Sequence, residues 1–219
     1  MINPHERTNN VRIILASASP RRRELLSKLG VQFEVTVSDT DENIDCKEPC
    51  SFVKELALLK ARDVFKKLIL PSAESPSSDT AHHTTSDPLL IVIGADTVVD
   101  LNGKVLGKPK DKRDAEMMLR GLSGNAHLVH TGIAVIVRDT SGNITEFSDC
   151  ETSTVHVEDL TDNEIESYIA TGEPFDKAGS YAIQGVFAPY ISSIEGDYYN
   201  IVGLPLNKLY RILKKQIVN

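Results

Sequence analysis

Small hydroxyl side chains and arginines stand together at the start of a helix, in the segment LASASPRRRELL at residues 15–26. Ser17, Arg21 and Arg22 would lie beside the free N–H groups of that helix, where the positive end of the helix dipole favours an anion. Guanidinium groups bind phosphate oxygens in pairs. Arginines at this end of a helix oppose the dipole when no anion is bound. The pattern therefore favours a polyphosphate site over a solvated cluster of arginines.

Further charged residues follow the apolar strand at residues 89–93. Asp96, in the sequence GADTVV, is either a turn-forming residue or a catalytic carboxylate, and its polar neighbour Thr97 favours the second reading. Lys108, in the sequence GKP, comes at the end of another short strand and can reach the same pocket. Glu42 lies in an acidic loop, SDTDENID, which is solvated surface unless phosphates bind nearby. In that case a divalent cation requires one or two carboxylates beside them.

These residues need a framework in which strands and helices alternate. Strands are predicted at residues 11–16, 33–37 and 89–109, the last interrupted at Gly94–Thr97 and again by an Asn102–Gly103 turn. A long hairpin follows helix 111–124, and helices are also predicted at 20–29, 51–69, 161–172 and 205–217. Ligands in open α/β sheets bind off the carboxyl ends of strands, which is where the charged residues fall.

One lysine of the long predicted helix is out of place. At about 100° per residue, Lys60 falls on the apolar side of the helix with Leu56 and Val64. An inward lysine either extends its ammonium group back to water or meets an anion in a cleft. Helical spacing alone leaves both alternatives open.

Composition excludes several classes of protein. The 219 residues are consistent with one domain, 1–219, and 31 acidic against 24 basic residues give a net charge of −7, which disfavours binding to nucleic acid or to an anionic membrane. Residues 1–10 carry no apolar secretory segment and are expected to be a disordered tail, while the Ser- and Thr-rich segment 71–88 is expected to be a flexible loop insertion. No apolar run approaches the ~20 residues that span a bilayer. We expect a cytoplasmic protein whose three cysteines are reduced thiols.

Six motifs, in order along the chain, resemble those of the Maf family of nucleoside triphosphate pyrophosphatases: LASASPRRRELL, GADTVV, GKP, SGNAHLVHTGIAV, EPFDKAGSYAIQG and IEGDYYNIVGLPL. The resemblance extends from about residue 11 to residue 213. It implies an α/β fold like that of inosine-triphosphate pyrophosphatases, in which helices flank an elongated mixed β-sheet and two lobes surround a central cleft. It also implies a cytoplasmic, commonly homodimeric hydrolase of acid anhydrides. Such an enzyme uses Mg²⁺, Mn²⁺ or another divalent cation to release a nucleoside monophosphate and pyrophosphate.

The resemblance also assigns roles to individual residues. Binding of the triphosphate is implied for Ser17, Arg21, Arg22, Lys60 and Lys108. Metal binding is implied for Glu42 and Asp96, with Asp96 also the general base. Substrate choice is implied for Arg21, Thr97 and Gln184, and Arg21 together with the sequence AIQG matches the branch that acts on dTTP and UTP.

Two alternatives to that activity remain open from the sequence. The family's association with septum formation is compatible with a regulator of cell division that binds nucleotides with little turnover. A house-cleaning enzyme that prefers modified pyrimidine triphosphates is also compatible, since one methyl group changes binding by only about 1–3 kcal/mol.

Overall fold

A computed structural model of the chain describes residues 10–42, 44, 46, 48–70 and 87–217. The expected N-terminal tail and the expected loop insertion lie outside the described residues, apart from residue 10 and residues 87–88. Within the described part, no helix is long and apolar enough to cross a membrane.

The described elements follow the predicted order of strands and helices. The strands are β1 (Val11–Ala16), β2 (Glu34–Val35), β3 (Leu89–Leu101), β4 (Lys104–Leu106), β5 (Ala126–Arg138), β6 (Ile144–Val157) and β7 (Ile191–Glu195). The α-helices are α1 (Pro20–Ser27), α2 (Pro49–Ile69), α3 (Lys112–Leu122), α4 (Asp162–Ala170), α5 (Tyr198–Val202) and α6 (Leu206–Ile217). Short 3₁₀ turns occupy Glu173–Asp176, Ala178–Ser180 and Ala188–Tyr190.

The strands form one mixed seven-stranded sheet in the order β2-β1-β3-β5-β6-β7, with β4 paired to β3. β1 is parallel to β2 and β3, and the remaining pairs are antiparallel. β1 stops opposite Gly94, whereas β4 joins β3 only at Val99. Residues 95–98 therefore have one edge without a strand partner in the described part of the chain. The predicted mixed α/β fold with flanking helices is confirmed.

Apolar side chains alternate between the two faces of the sheet, as strand geometry requires. On one face, α2 covers Ile14, Val92 and Ile136. On the other face, one cluster around Leu25 joins α1 and α6, and a second around Leu119 joins α3 and α4. The second face thus carries two separate packing centres at opposite ends of the sheet.

β3 is one unbroken strand, so the interruption predicted at Gly94–Thr97 was wrong. Gly94 serves a close approach instead of a turn: a Cβ atom there would lie 2.1 Å from the carbonyl oxygen of Ala57 in α2. A Cβ atom at Gly132 of β5 would lie 2.2 Å from the carbonyl oxygen of Val53. The α2 backbone therefore rests directly on the sheet over these two glycines.

The predicted Asn102–Gly103 turn is confirmed, and the helix predicted at residues 161–172 has a capped start. Asn102 and Gly103 both have positive φ angles, 55° and 82°, as the predicted hairpin turn requires. Thr161 and Glu164 form a capping box at the start of α4. Helix α5 was not predicted, because its five residues are too few to show a helical period.

The expectation of three reduced thiols was wrong for two of them. Cys50, in the first turn of α2, forms a disulfide with Cys150 of β6, and their Cα atoms are 5.7 Å apart. Cys46 is free. The pair is separated by 100 positions along the chain, so only the folded sheet reveals it.

We expect Gly132→Ala to lower the free energy of unfolding by about 3 kcal/mol, the upper end for an overpacked core, because its new Cβ would meet backbone atoms. Denaturant unfolding measures the change. Gly107→Ala is the matched control, since its Cβ would meet nothing within 4 Å. Equal midpoints for the two variants would contradict the close approach of α2 to the sheet.

A second prediction concerns His127, which is buried on β5 with its Nε2 2.7 Å from the Tyr181 hydroxyl. Burial lowers the pKa of His127 from 6.5 to about 4. Between these values the unfolded chain binds a proton that the folded chain does not, so stability rises with pH across this window. The gain is about 3 kcal/mol between pH 4 and pH 6.5.

Chemical denaturation across that pH range measures this gain, and His127→Gln should remove it because glutamine does not titrate. A variant with the same pH dependence as the wild type would show that His127 is not its source.

Candidate functional site

A cleft of about 730 Å³ opens where β1 ends and β3 continues beside it. Its lining includes all nine residues singled out from the sequence: Ser17, Arg21, Arg22, Glu42, Lys60, Asp96, Thr97, Lys108 and Gln184. They come from the start of α1, the loop after β2, α2, β3, the loop after β4 and the segment before β7. The position agrees with the rule that ligands bind off the carboxyl ends of strands.

Lys60 joins the two carboxylates of the cleft. Its Nζ lies 2.7 Å from Oδ1 of Asp96 and 2.9 Å from Oε1 of Glu42. The side chains of Lys60 and Asp96 are each 13% exposed, whereas that of Glu42 is 60% exposed. Of the two alternatives for Lys60, the structure shows the second: the lysine meets anions in a cleft.

The close approach of α2 to β3 explains the contact between Lys60 and Asp96. Ala57 contacts the backbone at Gly94, two residues before Asp96 on β3. Lys60 lies three residues after Ala57, on the same side of the helix. The small residues at the contact therefore bring the ammonium group down to the carboxylate.

Arg22 is held by the protein itself. Its Nε donates to the carbonyl oxygen of Gly203 at 2.9 Å, one Nη donates to the carbonyl oxygen of Ala95 at 2.8 Å, and the other donates to Thr97 Oγ1 at 3.0 Å. A longer bond of 3.4 Å reaches Ser17 Oγ. Burial lowers the pKa of Arg22, and the charge of Asp96 opposes that shift. Arg22 thus supplies positive charge and fixes the cleft wall. These bonds use four of its five N–H groups, so a two-pronged phosphate contact of the kind predicted for it would have to displace at least one of them.

Three other predicted residues are available to a ligand. Arg21, Lys108 and Gln184 line the cleft, and within the described part of the chain their side chains make no hydrogen bond or ion pair. Lys108 and Gln184 are exposed, and Arg21 is half-buried. Among the described residues, the cleft therefore presents two unpaired cations and one unpaired amide.

A chain of hydroxyl groups that the sequence did not reveal fixes the orientation of Thr97. Thr131, fully buried on β5, donates its hydroxyl to the carbonyl oxygen of Asn200 at 2.9 Å. Its oxygen therefore accepts from Thr97, 2.9 Å away, and Thr97 in turn accepts from Arg22. With its proton committed to Thr131, Thr97 can offer a ligand only an oxygen lone pair.

Glu173 holds the segment that carries Gln184. Its carboxylate accepts from the Tyr168 hydroxyl at 2.8 Å and from the backbone N–H of Val186 at 3.0 Å. A Cβ at Gly185 would lie 2.1 Å from this carboxylate, so the glycine leaves room for it. The glycine that follows Gln184 in the sequence IQG is a sequence feature that could have indicated this close packing.

An ion pair in the cleft lining was not predicted from the sequence. Lys177 is hydrogen-bonded to Asp176, and its side chain is 13% exposed. The hydrogen bond from Lys177 lowers the pKa of Asp176, and the positive charge of Arg21 lowers it further. Adjacent charges in the glycine-containing segment FDKAG were the signal for this pair.

Two solved structures align with most of the chain at low similarity. The nucleoside-triphosphatase / dITP/XTP pyrophosphatase of Mycobacterium abscessus is 13% identical, covers 94% of each chain and gives a TM-score of 0.38. The Ham1 protein of Staphylococcus aureus is 14% identical, covers 93% of this chain and 98% of its own, and gives a TM-score of 0.40.

Curated relatives are much more similar in sequence. A protein named dTTP/UTP pyrophosphatase from Thermoanaerobacter sp. (strain X514) is 47% identical over 206 residues, covering 94% of this chain and 97% of the relative. A protein of the same name from Alkaliphilus metalliredigens (strain QYMF) is 48% identical over 205 residues, covering 93% of this chain and 95% of the relative. The family described as Maf-like protein matches residues 12–216. The chain belongs to the Maf-like protein family.

Proposed function

We propose that the protein is a nucleoside triphosphate pyrophosphatase that hydrolyses dTTP and UTP between the α- and β-phosphates. The products are a nucleoside monophosphate and pyrophosphate. The observation that carries the proposal is the cleft itself, where cations available to a ligand lie beside the Asp96–Lys60–Glu42 cluster. Relatives that are 44–48% identical over nearly the whole chain and share the name dTTP/UTP pyrophosphatase support it.

The cations of the cleft can offset the negative charge of a triphosphate, which is the main electrostatic barrier to the reaction. A triphosphate repels an attacking water or hydroxide until its negative charges are offset. Arg21 and Lys108 are unpaired in the described part of the chain and face the cleft from two sides, so they are suited to bind phosphate oxygens. The N-terminus of α1 adds a dipole of the same sign.

The carboxylates fit a divalent cation. Oxygens of Glu42 and Asp96 both lie within hydrogen-bond distance of the Lys60 ammonium, so a single positive centre already draws them together. Mg²⁺ or Mn²⁺ prefers such oxygen donors and completes its shell with phosphate oxygens. When bound, the cation would neutralise phosphate charge and activate water.

Asp96 is suited to hold the attacking water. Its Oδ1 is occupied by Lys60 in this structure, and the side chain is 13% exposed at the edge of the cleft. Lys60 thereby fixes the direction of the carboxylate, so Asp96 can orient a water and accept its proton as phosphate is attacked. Lys60 plays the part of a positioning residue in addition to any contact with phosphate.

Substrate choice follows from the amide and hydroxyl groups. Gln184 has one donor and one acceptor on its amide, which match the N3–H and carbonyl edge of a pyrimidine. Thr97 can only accept, as its proton is used by Thr131. Together with Arg21, these groups would favour dTTP and UTP over purine nucleotides. A cytoplasmic location and a homodimer, which the family resemblance implies, stay predictions.

The central prediction is turnover. Purified protein should release pyrophosphate from dTTP and UTP with Mg²⁺ and should lose this activity when EDTA is added. Asp96→Asn should lower kcat by roughly 10²–10⁴-fold, the usual cost of losing a general base. Asp87→Asn, a change in an exposed ion pair outside the cleft lining, is the matched control and should retain activity. Tight binding of UTP without pyrophosphate release would instead favour the regulator of cell division.

A second prediction separates recognition from folding. Gln184→Glu should lower kcat/KM for UTP and dTTP by roughly 10–100-fold, because a carboxylate removes the amide donor. The melting temperature should stay close to that of the wild type, since Gln184 is exposed and unpaired in the described part of the chain. Gln216→Glu in α6, outside the cleft lining, is the control. Unchanged kcat/KM ratios across a panel of ordinary and modified pyrimidine triphosphates would remove Gln184 from substrate choice.

A further inference from the structure

A second cluster of chemically active side chains lies under the first turn of α2. It contains Cys50 of α2, His130 of β5 and Cys150 of β6, and the ligand atoms of these three residues all lie within 4.8 Å of one another. Asp100 of β3 stands behind His130. None of the four lines the catalytic cleft, so the cluster needs an explanation of its own.

Two buried polar atoms in this cluster lack a partner among the described residues. His130 is 7% exposed and Asp100 is 8% exposed, yet Nε2 of His130 and Oδ1 of Asp100 make no hydrogen bond with any described residue. Nε2 of His130 lies 3.7 Å from Oδ2 of Asp100. Unsatisfied buried polar groups are rare and destabilising, so a buried His130–Asp100 pair of this kind calls for an explanation other than packing.

The surroundings of His130 fix which ring nitrogen can bind a ligand. Asp100 stands behind Nε2 of His130, so an imidazole that carries its proton on Nε2 directs that proton at this carboxylate. Nδ1 then presents a lone pair on the other side of the ring, 3.8 Å from Cys50 Sγ and 2.9 Å from the Thr152 hydroxyl. A carboxylate behind a histidine, with the other ring nitrogen directed at sulfur ligands, is the usual arrangement around protein-bound zinc, and a metal here would replace the Thr152 hydroxyl on Nδ1.

We propose that Cys50, Cys150 and His130 form a Zn²⁺ site when the two cysteines are reduced, with Asp100 orienting the imidazole. Two thiolates and an imidazole nitrogen suit a borderline-soft cation such as Zn²⁺ and do not suit Mg²⁺ or Ca²⁺. The site is therefore chemically distinct from the oxygen-lined cleft and does not depend on the proposed function.

The disulfide and the zinc site are alternative states of one pair of cysteines. A dithiol reductant gives two electrons and two protons to the disulfide, which becomes two thiols while the reductant becomes a disulfide. Zn²⁺ then replaces the two thiol protons, which are released to solvent. Both states tie the start of α2 to β6, so the helix that carries Lys60 stays anchored in either one.

Cobalt substitution tests the site in the full-length protein. Reduced, oxygen-free protein should bind one equivalent of Co²⁺ with the near-ultraviolet absorption of a thiolate–cobalt bond, and Zn²⁺ should abolish this band by displacement. Co²⁺ bound at the carboxylates of the cleft cannot give a thiolate band. Cys50→Ser and Cys150→Ser should each lose most of it, His130→Asn should bind Co²⁺ at least tenfold more weakly, and Cys46→Ser is the matched control that should keep it.

A comparison within the wild type needs no variant and covers the case in which a variant fails to fold. Zn²⁺ should raise the melting temperature of the reduced protein more than that of the oxidised protein, in which the disulfide removes both thiolate ligands and leaves the carboxylates of the cleft. The proposal is overturned if reduced wild type shows no thiolate–cobalt band. It is equally overturned if Cys46→Ser abolishes the band, or if His130→Asn leaves the affinity unchanged.

Discussion

The site depends on one steric constraint, the backbone contact between α2 and the sheet. At Gly94 and Gly132 the helix carbonyls occupy space that any side chain would fill. Because the helix lies this low, a lysine on its inner side reaches a carboxylate on β3. A larger residue at either glycine would lift α2 and separate the Lys60 ammonium group from the Asp96 carboxylate, on which the proposed chemistry of the cleft depends.

A second constraint is the hydrogen bonding of Arg22. Its guanidinium group connects α1, β3 and the turn after α5 through contacts to Ala95, Thr97 and Gly203. Such charge-assisted bonds are stronger than neutral ones. Arg22 therefore joins parts of the chain that are far apart in sequence. The neighbouring Arg21 lines the cleft and has no hydrogen-bond partner in the described part of the chain. Adjacent residues of the same type thus serve different purposes.

Much of this could be predicted from patterns of neighbouring residues. The inward position of Lys60 follows from helical spacing, and the Asn102–Gly103 turn and the Thr161 cap follow from local chemistry. The purpose of Gly94 could not be predicted, because a glycine at a helix contact and a glycine in a turn look alike in one sequence. Chain-distant partnerships were also hidden, since no local spacing joins Thr97 to Thr131 or Cys50 to Cys150.

Sheet edges carry a risk that Arg22 also reduces. Over residues 95–98, β3 extends beyond β1 before β4 begins, and a strand edge without a partner in the described part of the chain can recruit a strand from another molecule. The guanidinium group already occupies the carbonyl oxygen of Ala95 in this stretch. A strand from another molecule would have to displace the Arg22 guanidinium group to pair with Ala95. The hydrogen bond from Arg22 therefore disfavours self-association through this edge of the sheet.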